Sequence, residues 1–387
     1  MIDRRSFNAA LGASFVTASV AAYGASAAAK PRYNGPNVII VRFGGGVRRR
    51  ETIDPDNTYA PFLRHTLTKR GILIPDMTIA QLDGVDASHA EGTLNILTGR
   101  YLAYRDAGSK VLDDRLEPTQ PTLFEYLRSA FDIPSHQALL INGEDRPQEE
   151  FFTYGVNRHY GVAYRSEMLS LHRFKLYKFA RILQEGQASD EDLAAARKQY
   201  EELLAADTRD IAPKQSPDVE RFWGRWRQHY GDSGFKNPRG DRLLTEIALR
   251  AIGELRPRFM MINYQDPDYV HWGNASHYTR AISIIDEGLA RLVKAIDTDP
   301  HYRDRTVFVV TPDCGRDANP LVQVPFQHHF NSRSAHETWA LVFGPGIVRD
   351  KVLDKPIDQT AVAATVAGIM GFKAREAEGT AISEIFA

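Results

Sequence analysis

Two hydrophobic periods alternate along this chain. Short β-branched and aromatic runs, bounded by glycine, proline or polar turns, read as buried strands. They are Asn37-Val-Ile-Ile-Val-Arg-Phe43, Ile72 to Ala80, Gln137-Ala-Leu-Leu-Ile141, Arg258-Phe-Met-Met-Ile-Asn263, Thr306-Val-Phe-Val-Val-Thr-Pro312 and Trp339-Ala-Leu-Val-Phe343. Between them lie segments with apolar residues at helical spacing: Asp56 to Arg70, stopped at Gly71; a helix opening at Ser88 or His89 with Leu94, Ile96 and Leu97 inward; Pro121 to Arg128; Asp241 to Leu255; Ser276 to Ile296; and Asp358 to Met370. Strand alternating with helix predicts an α/β domain on a mainly parallel central sheet covered on both faces.

That alternation lapses between about 151 and 239. Core-strand runs disappear there and charged amphipathic helices take over, one of them capped by Ser189 and running from Leu193 to Leu204. This segment is expected to be a helical cap inserted over the sheet edge. Its Arg221-Phe-Trp-Gly-Arg-Trp-Arg227 stretch is aromatic and basic, but a net charge of -1 over 387 residues argues against a nucleic-acid partner. The N-terminus also stands apart. Asp3-Arg-Arg-Ser-Phe-Asn8, a weakly apolar stretch from Ala9 to Ala22 and Ala25-Ser-Ala27 form a twin-arginine export pattern with a cleavage site. Residues 1–29 are therefore expected to be a signal peptide, with no membrane anchor left after cleavage, and residues 30–387 the domain, working in a bacterial periplasm. The single cysteine, Cys314, excludes an intrachain disulfide.

Candidate chemistry gathers at the ends of predicted strands, where open α/β sheets bind ligands. Asp313 and Cys314 end the run from Thr306. His336 precedes the run from Trp339, in the loop returning to the same edge, and His328 and His329 lie between. Asp268 and His271 follow the strand ending at Asn263. Carboxylate oxygen with imidazole nitrogen suits zinc or a similar divalent ion. Gly44, Gly45 and Gly46 could cradle an anion on their N–H groups beside Arg48, Arg49 and Arg50, or form a tight turn before a solvated basic patch. Ser88 or His89 is either an activated group at a helix N-terminus or, for Ser88, an N-cap.

These pieces, in this order, resemble the alkaline phosphatase superfamily, which includes sulfatases, nucleotide phosphodiesterases and cofactor-independent phosphoglycerate mutases. The matching stretches are Gly92-Thr-Leu-Asn-Ile-Leu-Thr-Gly-Arg100, Pro267-Asp268 to His271-Trp-Gly273, Thr311-Pro-Asp313, His336 ahead of Trp339 to Gly346, and Ile357 to Gly371. The resemblance implies two metal ions about 4 Å apart clamping an ester. One would be held by Asp268, His271 and His336. The family spaces that Asp and His by three residues and this chain by two, which keeps Asp266 as a second candidate. At the other site Phe43 precedes Gly44 where the family has Asp, and Asp313-Cys314 stands where it has Asp-His, leaving Cys314 as a possible thiolate ligand. The nucleophile position falls on His89, with Ser88 adjacent. A phosphohistidine, a shift of register onto Ser88, and metal ligation by His89 all remain open. The expected function is an exported metal-dependent hydrolase or transferase of a phosphate or sulfate ester. It would use one or two divalent ions, zinc first and calcium or manganese also compatible, on a small anionic substrate. The alternative is a catalytically lost member serving as a periplasmic anion- or ligand-binding protein.

Overall fold

A computed structural model describes residues 29–106, 116–143, 147–155, 160–205, 214–234, 240–272, 275–318, 327–328 and 332–387. The export signal and His329 lie outside the described residues. The strands are β1 (Asn37–Arg42), β2 (Gly71–Thr78), β3 (Tyr104–Asp106), β4 (Leu116–Pro118), β5 (Ala138–Ile141), β6 (Glu167–Leu169), β7 (Phe259–Asn263), β8 (Thr306–Thr311), β9 (Glu337–Phe343), β10 (Lys351–Val352) and β11 (Ile357–Asp358). Nine of them form one sheet in the order β10-β2-β9-β8-β1-β7-β5-β6, with β11 also on β2; β3 and β4 make a separate hairpin.

The helices are α1 (Arg49–Thr52), α2 (His89–Thr98), α3 (Leu123–Ala130), α4 (Leu171–Glu185), α5 (Asp190–Ala205), α6 (Pro217–Tyr230), α7 (Asp241–Glu254), α8 (Ala275–Thr298), α9 (Arg333–His336) and α10 (Ala361–Met370). Period-2 alternation divides each central strand between two cores. Ile39, Val41, Met260, Ile262, Phe308 and Val310 pack with α6, α7 and α8, while Val38, Ile40, Phe259, Met261, Val307 and Val309 pack with α2, α3 and α10. Both faces of the sheet are buried, so its strands read as continuous apolar runs.

The sheet is mostly parallel but mixed. β1 runs parallel to β7 and β8, while β9 runs antiparallel to both β8 and β2. This places the site, because the carboxyl ends of β1, β7 and β8 and the amino end of β9 share one edge. Three boundaries differ from expectation. Asp56 to Arg70 is not one α-helix: a π-helical turn spans Phe62–Leu67 and a 3₁₀ turn Thr68–Arg70. It starts only after Pro61, where the Asp286 carboxylate accepts from the N–H groups of Phe62 and Leu63 at 2.9 and 2.8 Å. Asp358 is in a strand, with Gln359 N–H bonded to the Thr78 carbonyl, so the last long helix opens at Ala361. The 151–239 segment carries α4, α5 and α6, but also β6, which extends the main sheet beside β5.

Candidate metal centre

β1 delivers a buried cation where the run looked apolar. The Arg42 guanidinium is fully buried. It donates to Thr93 Oγ1 at 2.6 Å and Glu149 Oε1 at 3.1 Å, and its Nη1 lies 3.7 Å from Asp313 Oδ2. The glycine turn follows. A Cβ on Gly44 would stand 2.0 Å from the Tyr264 carbonyl oxygen, so no side chain fits there. Gly45 and Gly46 have φ of +85° and +65°, which glycine alone adopts freely. Their N–H groups reach Asp313 Oδ2 at 3.4 Å and Oδ1 at 3.3 Å, and Cys314 N–H reaches Oδ1 at 2.8 Å. The N–H groups expected to face a substrate anion are directed at the protein's own Asp313 carboxylate.

The second carboxylate, Asp268, lies in the 3₁₀ segment Asp266–Trp272 after β7. Its Oδ1 is the meeting point of the site. His89 Nε2 and His271 Nε2 each lie 2.9 Å away, Arg316 Nη2 3.1 Å and His328 Nε2 3.7 Å. His89 opens α2 and is only 5% exposed. Its other nitrogen, Nδ1, lies 2.9 Å from Asp313 Oδ2 and 3.7 Å from Cys314 Sγ. His328 Nδ1 faces the Ala87 carbonyl at 2.9 Å. A ring whose Nδ1–H donates to such an acceptor keeps its Nε2 lone pair for a metal, and this is how ligating histidines are usually held. The ligand atoms of His89, Asp268, His271 and His328 all lie within 4.8 Å of one another, as do those of a second group, His89, Asp313 and Cys314.

The electrostatics follow from this mixture. Burial penalises both carboxylates when ionised, but the His89 charge beside them wins, helped by Arg42 at Asp313 and by hydrogen bonds from His271 and His328 at Asp268, so both are held far below the usual carboxylate range. Burial pulls His89 down, yet Asp268 and Asp313 raise it well above 6.5. Burial and then the Asp313 charge push the Cys314 thiol up, the opposite of an activated thiolate.

Several expected site residues are used elsewhere. His336 is buried with Nδ1 3.2 Å from the Ile79 carbonyl and joins neither ligand group; His328 stands in its place. Ser88 Oγ accepts from Glu91 N–H at 3.2 Å, so its hydroxyl caps α2. Asp266 accepts from Asp241 N–H at 3.1 Å, at the start of α7. Arg48 pairs with Glu51 through Nε at 2.8 Å. Arg49 latches β9 to β2 through the carbonyls of Thr338 and Met77 at 2.8 and 2.9 Å and pairs with Asp76 at 3.0 Å. Arg50 is exposed. Of the anion clamp expected from Gly44, Gly45 and the three arginines, the glycine turn, Arg48 and Arg49 are engaged from within, and Arg50 is left at the surface. The sequence reading passed over Arg42, Glu149 and Arg316. Arg316 is fully buried and donates through Nε to the Gly46 carbonyl at 2.8 Å and through Nη2 to that of Gly45. A charged residue inside an otherwise apolar strand run was the available signal for Arg42.

No protein-family profile and no curated protein sequence matches the chain. Solved structures do. A 2-O GAG sulfatase superposes with a TM-score of 0.53 at 12% identity, over 90% of this chain and 74% of that one. The alkaline phosphatase PafA gives 0.52 at 11% identity, over 93% of this chain and 100% of that one. A protein in the alkaline phosphatase superfamily from Vibrio parahaemolyticus gives 0.50 at 12%, over 93% and 72%.

Proposed function

From its alkaline phosphatase-superfamily fold, we propose that this chain is an exported, metal-dependent hydrolase or transferase of phosphate or sulfate esters. The observation that carries the reading is the convergence of three imidazoles on Asp268 at the sheet edge where such folds bind ligands. His89, Asp268, His271 and His328 would hold the ion. Three nitrogens and one oxygen suit zinc and select against calcium, which takes oxygen ligands. When bound, such an ion supplies Lewis acidity toward an ester oxygen. The chain's own residues orient that centre: Asp313 and the Ala87 carbonyl fix two of the rings, and Arg316 ties Asp268 to the Gly45–Gly46 turn. Ser88 is engaged as a cap and His89 at both nitrogens, so we favour direct attack by the acceptor over a covalent enzyme intermediate. A phosphatase and a sulfatase among the similar structures support the substrate class. Arg4-Arg5 and Ala25-Ser-Ala27 support export to the periplasm, and no helix among the described residues is long and apolar enough to cross a membrane.

The test is metal content by elemental mass spectrometry of the signal-free protein, together with turnover of p-nitrophenyl phosphate and p-nitrophenyl sulfate with and without chelator. Bound metal and chelator-sensitive turnover of one ester are expected; protein that takes up no metal and turns over neither ester sinks the proposal. One observation favours a second reading. Four protein donors around one ion leave no open position, as in structural sites. A fully loaded protein inert toward both esters would select the binding-protein alternative.

A further inference from the structure

Two groups of side chains carry ligand atoms close enough to hold an ion, and they share His89. We infer that this centre runs on one metal ion and one guanidinium: Arg42 neutralises the Asp313 side, which takes no second ion. The inference rests on the proposed metal at His89, Asp268, His271 and His328.

Asp313 already meets internal donors at both oxygens. Its Oδ1 accepts from Cys314 N–H at 2.8 Å and Gly46 N–H at 3.3 Å; its Oδ2 faces His89 Nδ1 at 2.9 Å and Gly45 N–H at 3.4 Å, with Arg42 Nη1 at 3.7 Å. A divalent ion bound by His89, Asp313 and Cys314 would have to strip these donors. It would also sit beside a fixed cation where Arg42, Asp313 and Cys314 are all 0% exposed, away from the bulk solvent that screens such repulsion at a surface. The end of β1 supplies no carboxylate: Arg42 and Phe43 stand there, and Gly44 admits no side chain because a Cβ would meet the Tyr264 oxygen at 2.0 Å. Arg42 is itself pinned by Thr93 and Glu149. Fully buried, it is a positioning residue: the guanidinium holds Asp313, Asp313 holds the His89 ring, and the ring presents Nε2 to the Asp268 group.

The experiment loads the signal-free protein with excess zinc, and separately with cobalt, and counts ions by native mass spectrometry. Wild type is expected to take one equivalent. Cys314→Ser should also take one, and the cobalt form should lack a thiolate charge-transfer band. Asp313→Asn should keep one equivalent with zinc affinity about 10–100-fold weaker, the usual cost of losing a ligand's orienting partner. Arg42→Met should weaken zinc similarly and Arg42→Lys should recover much of the loss; should Arg42→Met fail to fold, the Asp313 and Cys314 variants still decide. Two equivalents in wild type, a thiolate band, or loss of one of two ions in Cys314→Ser or Asp313→Asn overturns the inference and leaves metal-dependent chemistry standing. No ion bound in wild type overturns both.

Discussion

Asp268 and Asp313 flank the same imidazole at the same 2.9 Å, yet their surroundings are opposites. Asp268 lies in the 3₁₀ segment after β7, its side chain keeps 19% exposure, and its company is three histidines and one arginine. Asp313 is sealed, wrapped by three backbone N–H groups and backed by an arginine that is itself paired. Imidazoles can be neutral and give a lone pair to a metal; guanidinium and peptide N–H groups can only donate. On the proposed reading Asp268, whose company is mainly imidazole, takes the ion, and Asp313, met mainly by peptide N–H groups, supports it. Metal-type residues in a strand-end motif do not by themselves reveal which carboxylate binds. The partners decide it, and the partners come from distant parts of the chain.

The largest effect should come from breaking the Asp268 side. His271→Ala or His328→Ala removes a proposed direct donor, so metal affinity should fall by more than the roughly 10–100-fold seen when an orienting partner is lost. Ester turnover should fall with it. His336→Ala is the control, because His336 joins neither group of ligand atoms. It should retain the wild-type metal content. Titration with a chelating dye reads all three, and wild-type affinity in both His271→Ala and His328→Ala would break the comparison.

The Asp313 side should respond in stability rather than in ligand count. Arg42→Met leaves Glu149 and Asp313 as buried carboxylates without their cation. Removing one partner of a buried ion pair costs about 3–5 kcal/mol. Adding Glu149→Gln should recover part of this, and the coupling between the two sites should exceed the ~0.5 kcal/mol that separates independent positions. Urea unfolding of the two single variants and the double variant measures it; simple additivity would mean that Glu149 is not compensating Arg42. A smaller effect is expected at Ser88. As an N-cap bonded to Glu91 N–H it should cost about 1 kcal/mol when replaced by alanine, with kcat unchanged. Loss of turnover in folded Ser88→Ala would make it the nucleophile after all.

The apolar runs were legible because their information is local. Both faces of the central strands are buried, so Val38 to Val41, Met260 to Ile262 and Phe308 to Val310 appear as unbroken hydrophobic stretches. The shared edge was legible as well, since Asp268, His271 and Asp313 each directly follow a strand or the turn after it. What the sequence hid was long-range. His328 meets Asp268 across sixty residues, and Arg42 meets Glu149 across more than a hundred. The histidine nearest the strand, His336, therefore looked like the ligand, and the arginines nearest the glycine turn looked like the anion clamp. The turn's own N–H groups went to Asp313, a contact between residues 267 or more positions apart.

The smallest effect separates those two pictures of the arginine stretch. Arg48 is tied to Glu51 and Arg49 to Asp76 and two carbonyls, which leaves Arg50 as the exposed member of the three. If these residues clamped an ester's anion, losing Arg50 would remove a charged contact and raise KM by about tenfold, the equivalent of roughly 1.4 kcal/mol. If they are structural, Arg50→Ala is an ordinary surface change: stability should move by no more than about 0.5 kcal/mol and KM should stay within the error of the assay. Steady-state kinetics on whichever ester the wild type turns over, beside a urea midpoint, measures both. An unchanged KM keeps anion recognition with the Asp268 centre, whereas a clear rise returns it to the basic stretch after the glycine turn and extends the site past the end of β1.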